Sequence, residues 1–386
     1  MTRPASAPLS SYDVIVIGAG IQGTSSALNL ALRGRRVLVI EKNTPAAHAS
    51  GVNAGGVRSL WRHPAEIPLA RASLELWRGI EDWLGADCEF HTGGSLRIAE
   101  SEADMAALEQ RVRDIADLGY AHEELLGQNA LRAIVPDVAP HCVGGLIARN
   151  EGSASPYHTT RAFHARASRE GVTFLIGERV QMVERCTVGW RVRTRAQQAE
   201  APVLLNCAGA WGSQIAAQIG DTIPLVMEAP TMMVTERIPR FLSPVCGLVG
   251  RKLSFKQTRA GTLLIGGGHR GTVDRVNEVA HPDPLQLAIS ARTVTDVFPL
   301  MRDVRITRTW CGIEGMTPDH LPILGPSPSA PDAFHAFGFS AHGFALGPIV
   351  GKIMSDLIVD GDTPLPIAAF APGRFSTSTG GASGHA

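Results

Sequence analysis

The stretch Asp13-Val-Ile-Val-Ile-Gly18-Ala-Gly20-Ile-Gln-Gly23 decides the fold of this 386-residue chain. It begins with a continuous apolar run, which is what a strand buried on both faces requires. The glycines follow at once and lead into an apolar-periodic helix that ends at Gly34, and a second apolar strand over 36–40 stops at Glu41. The pattern predicts a complete β-α-β unit of the dinucleotide-binding type.

Each position of this motif has a physical reason. Gly18 permits a tight turn, Gly20 lets the backbone approach a pyrophosphate, and Gly23 lets the helix and the strand pack closely. The helix N-terminus offers N–H groups and a partial positive charge to the phosphates. Glu41 can accept hydrogen bonds from both ribose hydroxyls, but its charge would repel a 2′-phosphate. The motif therefore favours FAD or NAD over NADP.

The residues after Glu41 favour FAD over NAD. A nicotinamide-binding domain usually continues with another helix and strand, whereas this chain is small and irregular over 46–56. The backbone N–H groups of such a stretch can crowd against a second phosphate and a flat ring. A flexible surface loop is the alternative interpretation, although a long loop without structure of its own is uncommon unless it binds something.

Composition argues against several other classes of protein. Lys+Arg and Asp+Glu are equal at 36 each, which does not indicate a nucleic-acid binder or a protein held to a membrane by charge. The six cysteines form no CxxC pair and the thirteen histidines no HExxH motif, so we expect buried free thiols and no metal site. Residues 1–11 show no secretory signal and no apolar run could span a bilayer, so we expect a cytoplasmic protein.

The order of the predicted elements indicates two domains assembled from separated segments. The first is an α/β, Rossmann-like FAD-binding domain that comprises residues 12–86, 153–221 and 310–372. The second is a sheet-rich α+β substrate domain that comprises residues 87–152 and 222–309. Residues 373–386 are rich in Ser, Thr and Gly and are expected to be disordered. Helices are predicted over 64–85, 101–118, 122–133, 159–169, 284–298 and 345–358, and strands over 95–99, 203–206 and 304–310.

Six blocks follow one another along the chain: the Gly18–Gly23 motif, Glu41-Lys42, 49–56, 205–211, 316–325 and 340–347. Their ordered set resembles the D-amino-acid oxidase superfamily, which includes glycine oxidase, sarcosine oxidase and related FAD-dependent amine dehydrogenases. The resemblance extends to about residue 360. Residues 51–58, 254–258, 264–269 and 310–315 resemble more narrowly the flavin (β) subunits of bacterial opine oxidases and of the hydrogen-cyanide-synthase or D-hydroxyproline-dehydrogenase type.

The resemblance implies oxidation of a C–N bond, in which hydride leaves the carbon beside a neutral amine for the flavin N5 and the imine then hydrolyses. It also implies that the helix after the turn at 338–347 points its N-terminus at the flavin N1–C2=O edge, with His342 more readily a packing residue than an acid or base. The residues implied to hold FAD are Gly18, Gly20, Ile21, Gln22, Gly23, Glu41, Lys42, Ala49, Ser50, Asn53, Ala54, Gly55, Gly56, Val180, Ala208, Gly209, Trp211, Gly312, His342, Gly343, Phe344, Ala345 and Leu346.

One position departs from the family pattern. Glycine oxidase and its D-amino-acid-oxidising relatives carry an arginine that clamps the substrate carboxylate just before the Thr-Pro-Asp block, where this chain has Glu314. A carboxylate repels another carboxylate, so Glu314 is either a structural residue or the partner of a cationic group of the substrate. The guanidinium of an opine built on arginine, or a secondary ammonium, would suit it.

The carboxylate clamp must then come from elsewhere. Arg58, Lys256 and Arg270 are candidates, although each is also readable as a surface cation. Lys256 has a second possible role, because a lysine above the flavin promotes reaction with oxygen in some sarcosine-oxidising relatives. Tyr157 is a further candidate for substrate contact, since it falls near the predicted domain interface, where it could equally be a packing residue.

Three functions are consistent with the sequence. The chain is the catalytic FAD subunit of a heteromeric opine or secondary-amine dehydrogenase, a stand-alone glycine, sarcosine or D-amino-acid oxidase that makes hydrogen peroxide, or a non-catalytic flavin-holding assembly subunit. Glu314 favours the first over the second. The resemblance implies partner subunits with an iron–sulfur centre and a further cofactor, and this chain lacks the cysteine set for such a cluster.

Overall fold

A computed structural model describes residues 12–375, and within that range the chain forms ten α-helices and 23 β-strands. The helices are α1 (Ile21–Leu32), α2 (Ala49–Val52), α3 (Ile67–Arg78), α4 (Ile80–Leu84), α5 (Glu102–Asp117), α6 (Gln128–Ile134), α7 (Pro156–Arg169), α8 (Gly212–Ile219), α9 (Pro284–Val297) and α10 (Gly343–Asp360). Short 3₁₀ turns lie at Pro64–Glu66, Gly209–Trp211, Pro299–Asp303, Ala368–Phe370 and Pro372–Phe375.

The strands are short, and most belong to two large sheets. They are β1 (Val14–Ile17), β2 (Val37–Glu41), β3 (Gly56–Val57), β4 (Ser95–Ala99), β5 (Glu124–Gly127), β6 (Gly144–Ala148), β7 (Gly152–Ser153), β8 (Thr173–Ile176), β9 (Met182–Cys186), β10 (Gly189–Arg193), β11 (Gln198–Ala201), β12 (Val203–Asn206), β13 (Val226–Glu228), β14 (Thr231–Thr235), β15 (Val245–Leu248), β16 (Ser254–Gln257), β17 (Leu263–Gly266), β18 (Thr272–Asp274), β19 (Val279–His281), β20 (Ile306–Cys311), β21 (Glu314–Met316), β22 (Ile323–Pro326) and β23 (Ala333–Phe337).

The first large sheet has the strand order β22-β23-β12-β1-β2-β8. All of its pairings are parallel except the one between β22 and β23. Every residue of β1 and β2 is buried, because helices and a three-stranded sheet (β11-β10-β9) cover the two faces. This confirms the α/β, Rossmann-like fold that the opening motif predicts.

The second large sheet has eight strands in the order β20-β14-β17-β16-β15-β4-β6-β5. Its strands come from residues 95–148 and 231–311, on both sides of the segment that supplies β8 and β12. Its core contains Phe255 and Phe298, whose ring centroids lie 4.8 Å apart. The chain thus crosses between the two sheets several times, so a cavity between them draws residues from distant parts of the sequence.

Helices α1 and α10 are in close contact, although more than 300 residues separate them in the sequence. Gly347 and Gly351 of α10 make this possible, because a Cβ at Gly347 would lie 2.6 Å from Ile21 and one at Gly351 would clash with Ser25. Gln22 Nε2 also donates a hydrogen bond to the carbonyl oxygen of Gly343 (2.7 Å). The contact fixes the N-terminus of α10 beside that of α1.

The secondary structure differs from the sequence-based expectation in a few places. The helix expected over 64–85 is interrupted at Gly79. The segment 122–133, which was expected to be a helix, forms β5 followed by α6. Pairing of β5 with β6 outweighs the local helix propensity there. The irregular stretch 46–56 contains the short helix α2. Two of the six free cysteines, Cys186 and Cys311, are only half-buried.

The C-terminal tail expected to be disordered, residues 373–386, is ordered at its start. Residues 373–375 are ordered, since Arg374 Nε donates a hydrogen bond to Asp319 Oδ2 (2.7 Å). The remainder of the predicted disordered tail and the N-terminal stretch 1–11 lie outside the described residues. Between residues 12 and 375, no helix is both long enough and apolar enough to cross a membrane.

A buried polar network joins β12 to β23. His335 Nε2 lies 2.7 Å from Asp221 Oδ2, and Asn206 Nδ2 lies 3.2 Å from His335 Nδ1 and 2.9 Å from the carbonyl oxygen of Gly212. Burial opposes ionisation of Asp221, but hydrogen bonds from His335 and two serines outweigh it and lower the pKa of Asp221 to about 2. The network supports the turn that follows β12.

We predict that Asp221→Asn lowers the free energy of unfolding in a pH-dependent way. The folded pKa of Asp221 is depressed, so its contribution is present above the unfolded pKa of about 4 and is lost as the pH falls towards 2. The variant should be about 2 kcal/mol less stable than the parent at pH 7, and the difference should shrink by pH 3. Urea unfolding at the two pH values measures this, and an equal difference at both would contradict it.

Candidate functional site

A cavity of about 630 Å³ lies where the strands of the first sheet end. Its wall includes Ile17, Glu41 and Cys207, at or just after the carboxyl ends of β1, β2 and β12. The opposite wall includes residues of the second sheet and its loops, among them Leu248–Ser254. In open α/β sheets, ligands bind outside the carboxyl ends of the strands, and this cavity occupies that place.

The glycine motif leaves room for a phosphate group at one end of the cavity. Gly18 has a φ of +104°, and a Cβ there would clash with the backbone of Cys207, so only glycine fits the turn. Gly20 is the N-cap of α1, and it has no side chain to cap the helix. Ser50 Oγ accepts a hydrogen bond from Ile21 N (3.0 Å), which brings the 46–56 stretch against the same helix end. The arrangement fits a pyrophosphate bound at a helix N-terminus.

Glu41 lies at the end of β2 in the position of a ribose-binding acid. Its Oε2 accepts a hydrogen bond from Ala19 N (2.7 Å) and its Oε1 accepts one from Asn43 N (2.8 Å). Each carboxylate oxygen can accept a second hydrogen bond, so the anchored group keeps acceptors for two hydroxyls. These acceptors thus fit a dinucleotide with a free 2′-hydroxyl.

Next to Glu41, Lys42 contacts residues from two distant parts of the chain. Lys42 Nζ lies 2.7 Å from Glu278 Oε2, in the turn between β18 and β19, and 2.9 Å from the centroid of the Trp211 ring. Arg179 binds the same carboxylate. Burial, with Lys42 nearby, lowers the pKa of His48 to about 4, so this histidine is neutral at pH 7. Lys42, His48, Arg179 and Trp211 all line the cavity.

Most residues predicted to hold FAD line this one cavity. They are Gly18, Gly20, Ile21, Gln22, Glu41, Lys42, Ala49, Ser50, Asn53, Ala54, Gly55, Gly56, Val180, Ala208, Gly209, Trp211, Gly312, Gly343 and Phe344. Gly23, His342, Ala345 and Leu346 do not line it. Gly23 packs on Gly18, where a Cβ would clash, and the carbonyl oxygen of Ala345 accepts hydrogen bonds from Ser73 and Trp77 of α3.

His342 is the N-cap of α10 and is engaged away from the cavity. Its Nδ1 lies 2.9 Å from both carboxylate oxygens of the buried Glu66. Burial, reinforced by Arg62, lowers the pKa of His342 to about 4. The side chain therefore joins α10 to the segment before α3, while Gly343 and Phe344 present the helix N-terminus to the cavity.

The cavity wall contains three of the five residues that were predicted to contact the substrate. Arg58, Arg270 and Glu314 line the cavity, whereas Lys256 and Tyr157 do not. Lys256 lies behind Gly55 and donates to the carbonyl oxygen of Ala154 (3.0 Å), and burial lowers its pKa to about 7. Tyr157 is on α7, with 48% of its surface exposed.

Four further arginines line the cavity and were not predicted: Arg62, Arg97, Arg179 and Arg251. Arg62 follows Arg58 by four residues, and this close repeat of a cation beside the glycine-rich stretch is the signal that could have found it. Arg97 lies in the middle of β4, and no local motif marks it. Its place in the wall follows from the parallel pairing of β4 with β15, which only the fold reveals.

The β-α-β unit, the acid at the end of β2 and the second sheet across the cavity define a dinucleotide-dependent oxidoreductase of the flavin type. Residues 13–357 match the family model of FAD dependent oxidoreductases (DAO), and the chain belongs to that family. Its cofactor is FAD. This confirms the resemblance drawn from the sequence blocks.

Individual relatives align over nearly the whole chain. The chain is 28% identical to monomeric sarcosine oxidase of Streptomyces avermitilis, over 95% of this chain and 98% of that protein. It is 25% identical to one of the subunits of opine oxidase from Rhizobium meliloti, over 94% and 97%. Among solved structures, L-proline dehydrogenase from P. horikoshii superposes with a TM-score of 0.89 and 26% identity, over 96% of this chain and 99% of that one.

Two glycine substitutions should separate cofactor binding from folding. Among the described residues, a Cβ at Gly20 would meet the Ser50 side chain alone (Oγ at 2.9 Å), whereas one at Gly23 would clash with the Gly18 backbone. Gly20→Ala should therefore weaken FAD binding at least tenfold, with the apoprotein still folded. Gly23→Ala should lower the free energy of unfolding even without FAD. Flavin titration and urea unfolding of the two apoproteins measure this, and identical behaviour of the variants would refute it.

Proposed function

We propose that this FAD-dependent oxidoreductase oxidises the C–N bond of an opine-type secondary amine with a cationic side chain, as the catalytic flavin subunit of a heteromeric dehydrogenase. The observation that carries the proposal is the position of Glu314. Its side chain lines the cavity at a point where the family pattern suggests an arginine that clamps a carboxylate. The side chain at this position of the cavity is therefore acidic, whereas a simple amino-acid oxidase is expected to have a basic one there.

The surroundings of Glu314 leave its negative charge incompletely paired. Glu314 lies in β21, directly opposite Glu228 of β13, and Arg270 forms its ion pair with Glu228. Glu314 Oε1 accepts a hydrogen bond from Ala341 N (2.7 Å), but burial raises the pKa of the carboxyl group. Within residues 12–375, Glu314 itself forms no ion pair within 4.0 Å. A cationic group of the substrate would complete the charge balance.

The chemistry follows from the family and from this chain's own residues. FAD, when bound, accepts the hydride that leaves the carbon beside the substrate nitrogen. Glu314 would hold the cationic end of the substrate and thereby orient its amine in the cavity. Hydrolysis of the imine product then yields an amine and an oxo acid.

The relatives support two versions of this function. The opine oxidase relative is, by name, one component of a larger enzyme, which supports a heteromeric assembly with separate electron-carrying subunits. Monomeric sarcosine oxidase supports the stand-alone alternative, in which oxygen reoxidises the flavin and hydrogen peroxide is released. Glu314 favours the first version. Peroxide release from the isolated chain at the rate of substrate oxidation would establish the second.

We predict that Glu314→Gln leaves FAD binding intact and lowers kcat/KM for cationic substrates. A charged hydrogen bond contributes about 1.5–3 kcal/mol, so the loss should be roughly ten- to a hundredfold. An otherwise identical substrate with a neutral side chain should lose less than about threefold. Steady-state kinetics with an artificial electron acceptor measure both, and the exposed Glu109→Gln is the matched control.

The pH dependence gives a second readout of the same residue. Because burial raises the pKa of Glu314, kcat/KM for the cationic substrate should begin to fall at a higher pH than an ordinary carboxyl group would dictate. This acidic limb should disappear in Glu314→Gln. Equal losses for cationic and neutral substrates, with an unchanged pH profile, would show that Glu314 is only structural.

A further inference from the structure

A short hairpin that follows β17 of the second large sheet reaches the wall of the cavity. It consists of β18, β19 and the turn between them, and we call it the clasp hairpin (residues 272–281). Asp274 Oδ1 accepts hydrogen bonds from the backbone N–H groups of Val276 (2.9 Å) and Asn277 (3.0 Å), which define the conformation of the turn. The turn ends at Glu278, whose φ of +55° is uncommon for a residue other than glycine and is retained where contacts fix it.

Glu278 binds two cations of the cavity wall. Arg179 donates to both of its oxygens, from Nη1 to Oε1 (2.8 Å) and from Nη2 to Oε2 (2.5 Å), and Lys42 Nζ donates to Oε2 (2.7 Å). The hydrogen bonds from Arg179 and Lys42 outweigh the effect of burial and lower the pKa of Glu278 to about 2, so this group is an anion at neutral pH. Charged hydrogen bonds of this kind hold both long side chains in one geometry.

Both cations lie at the end of the cavity where Glu41 fits the ribose of a dinucleotide. Lys42 follows Glu41 directly, and its Nζ also lies 2.9 Å from the centroid of the Trp211 ring. Arg179 follows β8, the strand that pairs with β2. Lys42, Arg179 and Trp211 line the cavity, whereas Glu278 is not among the described residues that line it. Glu278 therefore acts on this end of the cavity through the two cations that it binds.

We propose that the clasp hairpin slows the release of FAD, and that Glu278 is the positioning residue through which it does so. By binding Lys42 and Arg179, Glu278 keeps both side chains in place at the ribose end of the FAD site. Three segments that are far apart in the sequence meet at this carboxylate, so its loss frees two long side chains at once. FAD then dissociates faster. The inference concerns the cofactor alone and does not depend on which amine is oxidised.

The rate at which the FAD-loaded protein loses its cofactor tests this role. After dilution, the released FAD is followed by its fluorescence. Glu278→Gln removes the charge at nearly constant size, and FAD should dissociate at least about fivefold faster than from the parent, as expected for loss of a partly exposed charged pair. Added salt should speed the release from the parent, because it screens these ion pairs, and should have a smaller effect on the variant.

Further variants make the result specific to this contact. Glu278→Asp should restore part of the slow release, since it returns the charge and aspartate tolerates the left-handed backbone. Arg179→Gln should also speed the release. The double variant should be faster by less than the product of the two single effects, because both substitutions break a shared interaction. The exposed Glu109→Gln is the matched control and should release FAD at the rate of the parent.

Three results would overturn the proposal. Unchanged release from Glu278→Gln would show that the clasp hairpin does not retain FAD, and slower release would show that the freed cations hold the pyrophosphate instead. Equal salt dependence of the parent and Glu278→Gln would show that release does not require these ion pairs to open. Single effects that multiply in full in the double variant would show that Glu278 does not act through Arg179.

Discussion

The cavity depends on the close packing of the first helix against the last. Gly347 and Gly351 let α10 approach α1 at a distance that any side chain would prevent, and Gln22 binds the carbonyl oxygen of Gly343 across the contact. This fixes two helix N-termini side by side, one at the phosphate end of the cavity and one further along its wall. A flavin dinucleotide, with its pyrophosphate and its electron-accepting ring, needs positive potential at both places.

The cavity beside this pair of helices has an uneven distribution of charge. Basic side chains that include Arg58, Arg62 and Arg97 line one part of the cavity, and the acidic side chain of Glu314 lines another. Incompletely paired buried charges cost stability, and proteins retain them where a ligand supplies the missing partners. The substrate that we propose, an arginine-derived opine with carboxylates near its nitrogen and a cation at the end of its side chain, would match both regions.

The sequence predicted those parts of the molecule that are locally encoded. The β-α-β unit, strand β4 and the limits of α9 follow from apolar periodicity, glycine and proline positions, and most of the predicted cofactor residues lie in one cavity. Tertiary pairing explains the misassigned helix at β5, and it also explains why Arg97 was missed. Lys256 is a candidate from a block that resembles the family, and Tyr157 from its place near the predicted domain interface. The structure buries Lys256 against Gly55 and leaves Tyr157 exposed on α7.

The most direct test of the proposed substrate class is the rate of flavin reduction under anaerobic conditions, followed by the loss of absorbance near 450 nm. Three compounds are compared with the FAD-loaded protein: N-(1-carboxyethyl)arginine, N-(1-carboxyethyl)alanine and sarcosine. The charge distribution of the cavity predicts that the first reduces the flavin fastest, the second more slowly, and sarcosine slowest of all. Rapid reduction by sarcosine with no reduction by either dicarboxylic amine would contradict it.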